Sequence, residues 1–301
     1  MKLAVNLSAY QNAGITVKDS IDHALNLGIT IGDVLSYGNC YPSWEPMSEQ
    51  KAIVKKLEQT GFQIRAGINL PKANPGSADP EERKAAFEEV KNVAKYVKRL
   101  GGKAIMFCEA GGRPDWKHNL DGKQAYENAV ETTKMLADWC LKEDMIVLLE
   151  TIPFGGTFNT IESMVEFAKK TGAPNVYCNA DLGHLCLQKI RPERIMEFGK
   201  YLICCHASDN TNFGDEGHDA EHDLLLGTGC TDFEGYFEYL FKAGIEENCK
   251  AAGYFDEAYC SIEVCEAEPC GYMSNPDYQV MRCRDFLWKN FPWFRDPELM
   301  K

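Results

Sequence analysis

The chain has 301 residues, with 45 acidic against 32 basic side chains and a formal charge of −13. Its 45% apolar and 26% charged content is that of a folded globular protein able to bury a substantial core, and it excludes a disordered chain. The acidic balance also opposes nucleic acid as a partner, because that binding needs a basic face to displace phosphate counterions.

From the N-terminus, the apolar pattern alternates between short β-like runs and longer runs of helical period. Lys2–Leu7 has too few consecutive apolar residues for a signal peptide and reads as a first strand, followed by a helix over Val17–Leu27. Thr30–Leu35 precedes Glu49–Gln59, Phe62–Asn69 precedes Glu81–Leu100, and Ala104–Cys108 precedes Gln124–Lys142. Met145–Thr151 leads to Ile161–Lys170, and Val176–Asp181 to Pro192–Lys200. Leu202–Asp209 comes before Phe233–Ala243, and Tyr259–Cys265 before Pro276–Lys289.

Helix punctuation agrees with this division. Asp79-Pro80 and Asn275-Pro276 place proline at a first helical position, and Thr231-Asp-Phe-Glu234 has a capping-box pattern. Gly28, Gly61, Gly101 and Gly172 stand just past helix ends, as left-handed caps do. Eight strand–helix units in series predict an α/β fold, a single-domain (β/α)8 TIM barrel over residues 1–301. The doubly wound alternative lacks its glycine fingerprint, since the first strand–helix turn, Ser8–Gly14, contains no GxGxxG.

No apolar stretch approaches the roughly 18 residues of a membrane helix, so a cytoplasmic protein without a membrane partner is expected. The 13 cysteines contain no CxxC pair and several sit in apolar runs, which reads as buried reduced thiols. A zinc site through Cys265 and Cys270 is the alternative. The aromatic-rich ending Phe286–Phe294 is expected to pack across the barrel bottom or to form a subunit interface.

Barrel enzymes take their catalytic groups from the C-terminal ends of strands. Strand 5 ends Leu-Leu-Glu150, strand 6 ends Asn-Ala-Asp181-Leu-Gly-His184, strand 7 ends Cys-His206-Ala-Ser-Asp209-Asn210, and strand 8 ends Ser-Ile-Glu263. Two Glu, one Asp and one His suit a divalent cation of intermediate hardness, Mn2+ first, with Mg2+, Co2+ or Zn2+ as alternatives. Four buried polar groups on adjacent strands would be costly without such a common partner.

The run His206-Ala-Ser-Asp-Asn210, followed by His222-Asp-Leu-Leu-Leu-Gly227-Thr-Gly229, resembles the HxxDN…H/RxxxxGxG stretch of the sugar isomerase/epimerase superfamily. Asp181-Leu-Gly-His184 resembles the DxxH element of the same xylose-isomerase-like TIM barrels, which include ketose 3-epimerases, hydroxypyruvate isomerase and inosose dehydratase. The resemblance implies one metal held by Glu150, Asp181, His206 and Glu263, with His184 near a substrate oxygen or a metal-bound water. It places Asp209 behind His206 or on a substrate hydroxyl, and His222 on the substrate where many epimerases carry arginine. Glu109 and Trp116, after strand 4, are further candidates for binding a hydroxyl and stacking on a sugar face.

The expected chemistry is proton abstraction beside a carbonyl through an enediolate, with Glu150 and Glu263 approaching opposite faces of one carbon and His184 assisting. A small sugar or glycoside is the expected partner, and a homo-oligomer the expected assembly. Elimination from a keto-sugar, as in inosose dehydratase or a 3-keto-glycoside or C-glycoside deglycosidase within a hetero-oligomer, is the alternative lyase reading. A non-catalytic sugar-binding subunit is the second. A DNA-cleaving relative would need histidines at the ends of strands 2 and 3, where Ser36 and Asn69 stand. A Schiff-base aldolase needs a lysine facing the barrel mouth, but Lys2 and Lys103 lie at N-terminal strand ends.

Overall fold

The computed structural model describes residues 1–36, 46–108, 110–112, 122–151, 158, 160–211, 224–264 and 275–296. The eight expected strands form: β1 (Lys2–Asn6), β2 (Ile31–Leu35), β3 (Gln63–Asn69), β4 (Ala104–Phe107), β5 (Ile146–Glu150), β6 (Val176–Asp181), β7 (Leu202–Ala207) and β8 (Tyr259–Ile262). All pair in parallel in chain order, and β8 closes on β1 through Lys2–Tyr259 to Val5–Ile262. The strands are buried almost throughout, as parallel strands covered on both faces must be. The fold is therefore a (β/α)8 barrel.

The principal outer helices are α2 (Val17–Asn26), α3 (Met47–Thr60), α4 (Pro80–Arg99), α5 (Gly122–Lys142), α6 (Ile161–Thr171), α8 (Phe233–Lys242) and α10 (Pro276–Asn290). Short helices α1 (Ser8–Gln11), α7 (Leu182–Leu187) and α9 (Ile245–Ala251) lie between them. On α4, Val90, Val93, Ala94 and Val97 are buried while Lys98 and Arg99 end its last turn, the apolar stripe expected of a helix resting on a sheet. That stripe sits very close to β3: a Cβ added to Gly67 would stand 2.3 Å from Val97 Cγ2.

Local punctuation follows the side-chain chemistry. Asp79 and Asn275 cap α4 and α10 with proline next in line, and Gly61 and Gly172 end α3 and α6 in the left-handed conformation. At α8 the cap is one residue later than the sequence pattern suggests. Asp232, rather than Thr231, accepts the Gly235 N–H, while the Thr231 hydroxyl accepts the Asn210 Nδ2–H at 3.3 Å.

Two other expectations change. Pro192–Tyr201 is a 3-10 segment rather than an α-helix, interrupted where Gly199 takes φ 53° and ψ −136°. After β7 the expected helix forms as α8, and beyond Gly244 in the left-handed region an additional short helix, α9, follows it. The C-terminal aromatics form a lateral cluster on α8 instead of covering the barrel bottom: Phe291 and Phe294 meet Phe237 edge-on, and Trp293 meets Phe241. The described cysteines are all free thiols, and each is buried except Cys230. Cys265 and Cys270 lie outside the described residues. Among the described residues no helix is long and apolar enough to cross a membrane.

Candidate metal centre

Four consecutive strands bring their ends together at one mouth of the barrel. Glu150 ends β5, Asp181 ends β6, His206 is the penultimate residue of β7, and Glu263 follows β8. Asp181 and His206 are register partners, so their side chains leave neighbouring strands at the same height. One ligand atom from each of the four residues lies within 4.8 Å of the other three, and all four residues are buried.

The distances within the group are those of atoms directed at a shared point. His206 Nδ1 stands 3.0 Å from Glu150 Oε1, 2.5 Å from Glu263 Oε2 and 3.9 Å from Asp181 Oδ2. Despite the short approaches, neither ring nitrogen of His206 has a partner with hydrogen-bond geometry. Donors about 2.1 Å from a common ion and at right angles stand roughly 3.0 Å apart, so the set fits one divalent cation. Three carboxylates and one imidazole are also the donor types that bind such an ion. Left alone, three buried carboxylates in this space would repel one another strongly.

Electrostatics of the chain itself agree. Burial opposes charging of His206, but the Glu263 and Glu150 carboxylates beside it hold its proton well above the ordinary histidine range. Burial pushes the Glu150 carboxyl up, yet the His206 charge outweighs this and leaves it below the usual value. A metal ion would replace that proton as the compensating positive charge.

A second layer of residues orients these four side chains. Asn6, at the end of β1, donates its Nδ2–H to Glu263 Oε1 at 2.9 Å, and Asn179 of β6 donates to Glu150 Oε1 at 2.7 Å. The Cys108 thiol lies 3.5 Å from Glu150 Oε2. Asp181 Oδ1 accepts the Ser208 hydroxyl and the His184 N–H, each at 2.8 Å. Asp181 thus both ends its strand and caps α7, leaving Oδ2 toward the cluster. Gly183 makes this turn possible, because a Cβ there would stand 2.1 Å from Ser208 Oγ and 2.8 Å from its carbonyl oxygen.

His184 reaches back to β5, where Nδ1 is 2.7 Å from the Thr151 carbonyl oxygen. A carbonyl only accepts, so Nδ1 carries a hydrogen, and Nε2 is the ring nitrogen turned away from this bond. Asp209 behaves differently from the ligands. Its Oδ2 accepts the N–H groups of Gly227 and Gly229, and its Oδ1 those of Asn210 and Thr231, all at 2.9–3.0 Å. It pins the Gly227-Thr-Gly229 turn to the end of β7, and a Cβ at Gly229 would stand 2.4 Å from Asp209 Oδ1 and 2.2 Å from the Asn210 carbonyl oxygen. Asn210 Nδ2 donates to the Gly183 carbonyl, tying the β6 and β7 loops together. Glu109, Trp116 and His222 lie outside the described residues.

Asn6 and Asn179 were not singled out by sequence. Asn6 carried the available signal, a polar residue ending an apolar strand, while Asn179 carried only its parity with Asp181 two residues on.

No curated protein sequence matches this chain closely enough to count as a relative. Solved structures share the fold at low identity. D-psicose 3-epimerase from Clostridium cellulolyticum H10, solved with D-tagatose, matches with TM-score 0.73 and 17% identity over 95% of this chain and 98% of its own. An L-ribulose 3-epimerase matches with TM-score 0.75 and 14% identity over 100% and 98%. The IOLI protein with a bound zinc atom matches with TM-score 0.72 and 15% identity over 96% and 97%. The family model described as xylose isomerase-like TIM barrel matches residues 22–269, and with the barrel and its four-residue centre in place, the chain belongs to that family.

Proposed function

We propose that this protein is a metal-dependent sugar isomerase or epimerase that moves a proton on the carbon beside a carbonyl. The supporting observation is the convergence of Glu150, Asp181, His206 and Glu263 within 4.8 Å at the barrel mouth. Sugar 3-epimerases and the zinc-containing IOLI protein share the same fold. A divalent cation held by the four residues would stabilise the negative charge of an enediolate, with Mn2+ favoured by three hard oxygen donors and one imidazole.

Glu150 and Glu263 come from β5 and the end of β8, on opposite sides of His206 in the barrel order. In this reading one carboxylate takes the proton from one face of the sugar carbon, and the other returns a proton on the opposite face. Asn179 and Asn6 each fix one oxygen of their glutamate by a hydrogen bond, which sets the orientation of the carboxylate for that transfer. His184, through Nε2, binds a substrate hydroxyl.

The test is metal analysis of protein purified without chelator, followed by incubation of candidate sugars in D2O and NMR. One metal per chain and deuterium beside the carbonyl, with an epimer or isomer as product, is the expected result. A dehydrated or cleaved product would replace epimerisation by elimination. No bound metal and no exchange after adding Mn2+ would overturn the enzyme reading in favour of a sugar-binding subunit.

A further inference from the structure

Behind the metal centre, β2 contributes a carboxylate that no part of the proposed reaction uses. Asp33 is fully buried, and its Oδ1 accepts the Ala66 N–H at 3.0 Å and the Tyr259 hydroxyl at 3.1 Å. Its Oδ2 has no hydrogen-bond partner and lies 3.9 Å from His206 Nε2, which has none either. Ser261 Oγ, on the register neighbour of His206, has no partner at full hydrogen-bond geometry but lies close enough to Asp33 to lower its proton affinity. Buried polar groups are nearly always paired. Here an acceptor and a ring nitrogen face each other, and a shift of about 1 Å would close a normal hydrogen bond.

We propose that Asp33 is the positioning residue of His206. Its Oδ2 receives the Nε2 hydrogen, which fixes the tautomer that presents the Nδ1 lone pair to Glu150, Asp181, Glu263 and their cation. A ligating histidine whose other nitrogen donates to a carboxylate is held in orientation and made more basic. The inference rests on the metal centre proposed above.

The arrangement dictates the informative variant. In Asp33→Asn the Ala66 N–H still demands an oxygen at the Oδ1 position, so the new amide nitrogen falls at the Oδ2 position. It then offers a hydrogen to Nε2, and the ring must carry its own hydrogen on Nδ1, where the metal belongs. The same isosteric change that preserves packing therefore selects the wrong tautomer.

The experiment compares wild type, Asp33→Asn and Tyr259→Phe by Zn2+ titration, near-ultraviolet circular dichroism and 15N-resolved NMR of the histidine rings. In Zn2+-loaded wild type, His206 should show hydrogen on Nε2 and metal on Nδ1. Asp33→Asn should keep the native dichroism, lose that signature and bind Zn2+ roughly 10- to 100-fold more weakly. Tyr259→Phe removes a contact to Oδ1 but leaves Oδ2, and should bind as wild type does. A folded Asp33→Asn variant with wild-type affinity and an unchanged His206 signature would overturn the positioning role alone. A wild-type chain that takes up no Zn2+ would overturn the metal centre itself, and the positioning role with it.

Discussion

Replacing Asp209 by Asn should loosen the loop after β7 by an amount that follows from four hydrogen bonds. The carboxylate serves Asn210 and Thr231 through one oxygen and Gly227 and Gly229 through the other. An amide can present one oxygen, so whichever way it turns, two backbone N–H groups lose their acceptor and face an NH2 group. Hydrogen bonds to a charged group contribute about 1.5–3 kcal/mol each, and two of them partly exposed amount to roughly 3–4 kcal/mol. For a large domain each kcal/mol lowers Tm by about 2 °C or more, so a fall of roughly 6–10 °C is expected in a thermal melt. The segment from Leu224 to Thr231 should lose protection in amide hydrogen exchange while β1–β6 keep theirs. An Asp209→Asn protein melting within about 1 °C of wild type, far below the expected shift, would refute this account of the loop.

Two further outcomes follow from the centre itself. Glu263→Gln keeps the Asn6 bond to Oε1 but removes a ligand charge beside His206. It should weaken Mn2+ binding and, at saturating metal, slow deuterium exchange by about 10²–10⁴-fold; normal turnover would exclude the two-carboxylate mechanism. The second outcome concerns pH. Because Glu263 and Glu150 raise the His206 proton affinity well above 6.5 despite burial, metal uptake at neutral pH must expel that proton. Affinity should rise about tenfold per pH unit until the raised value is passed, and calorimetry in two buffers of different protonation heat should count about one proton released. In the metal-free protein the sign is opposite for stability. A raised folded value contributes stability fully below about 6.5 and loses it as pH rises through the folded value, so chelated protein should melt progressively lower above neutral pH while loaded protein does not.

What the amino-acid order determines here is largely local. The switching of apolar period, the Asp79-Pro80 and Asn275-Pro276 starts and the glycine stops define the eight units, because each depends on residues a few positions apart. Given the barrel, strand ends become addresses, and Glu150, Asp181, His206 and Glu263 can be picked out without coordinates as one group able to hold a metal ion.

Only the closed structure decides how those side chains are held. Asn6 meets Glu263 across 257 positions because β8 closes on β1, and no local pattern encodes that contact. Asp33 looks like an ordinary residue of an edge-less strand until the barrel carries it to within 3.9 Å of His206. Asp209 and its four amides show the same division: the motif marks the residue as important, but three of its partners stand 18 to 22 positions away, brought to it only in the folded chain. Side-chain type and period act over one turn or one strand, whereas a buried charge finds its compensation wherever the tertiary fold brings a partner into a place that water cannot reach.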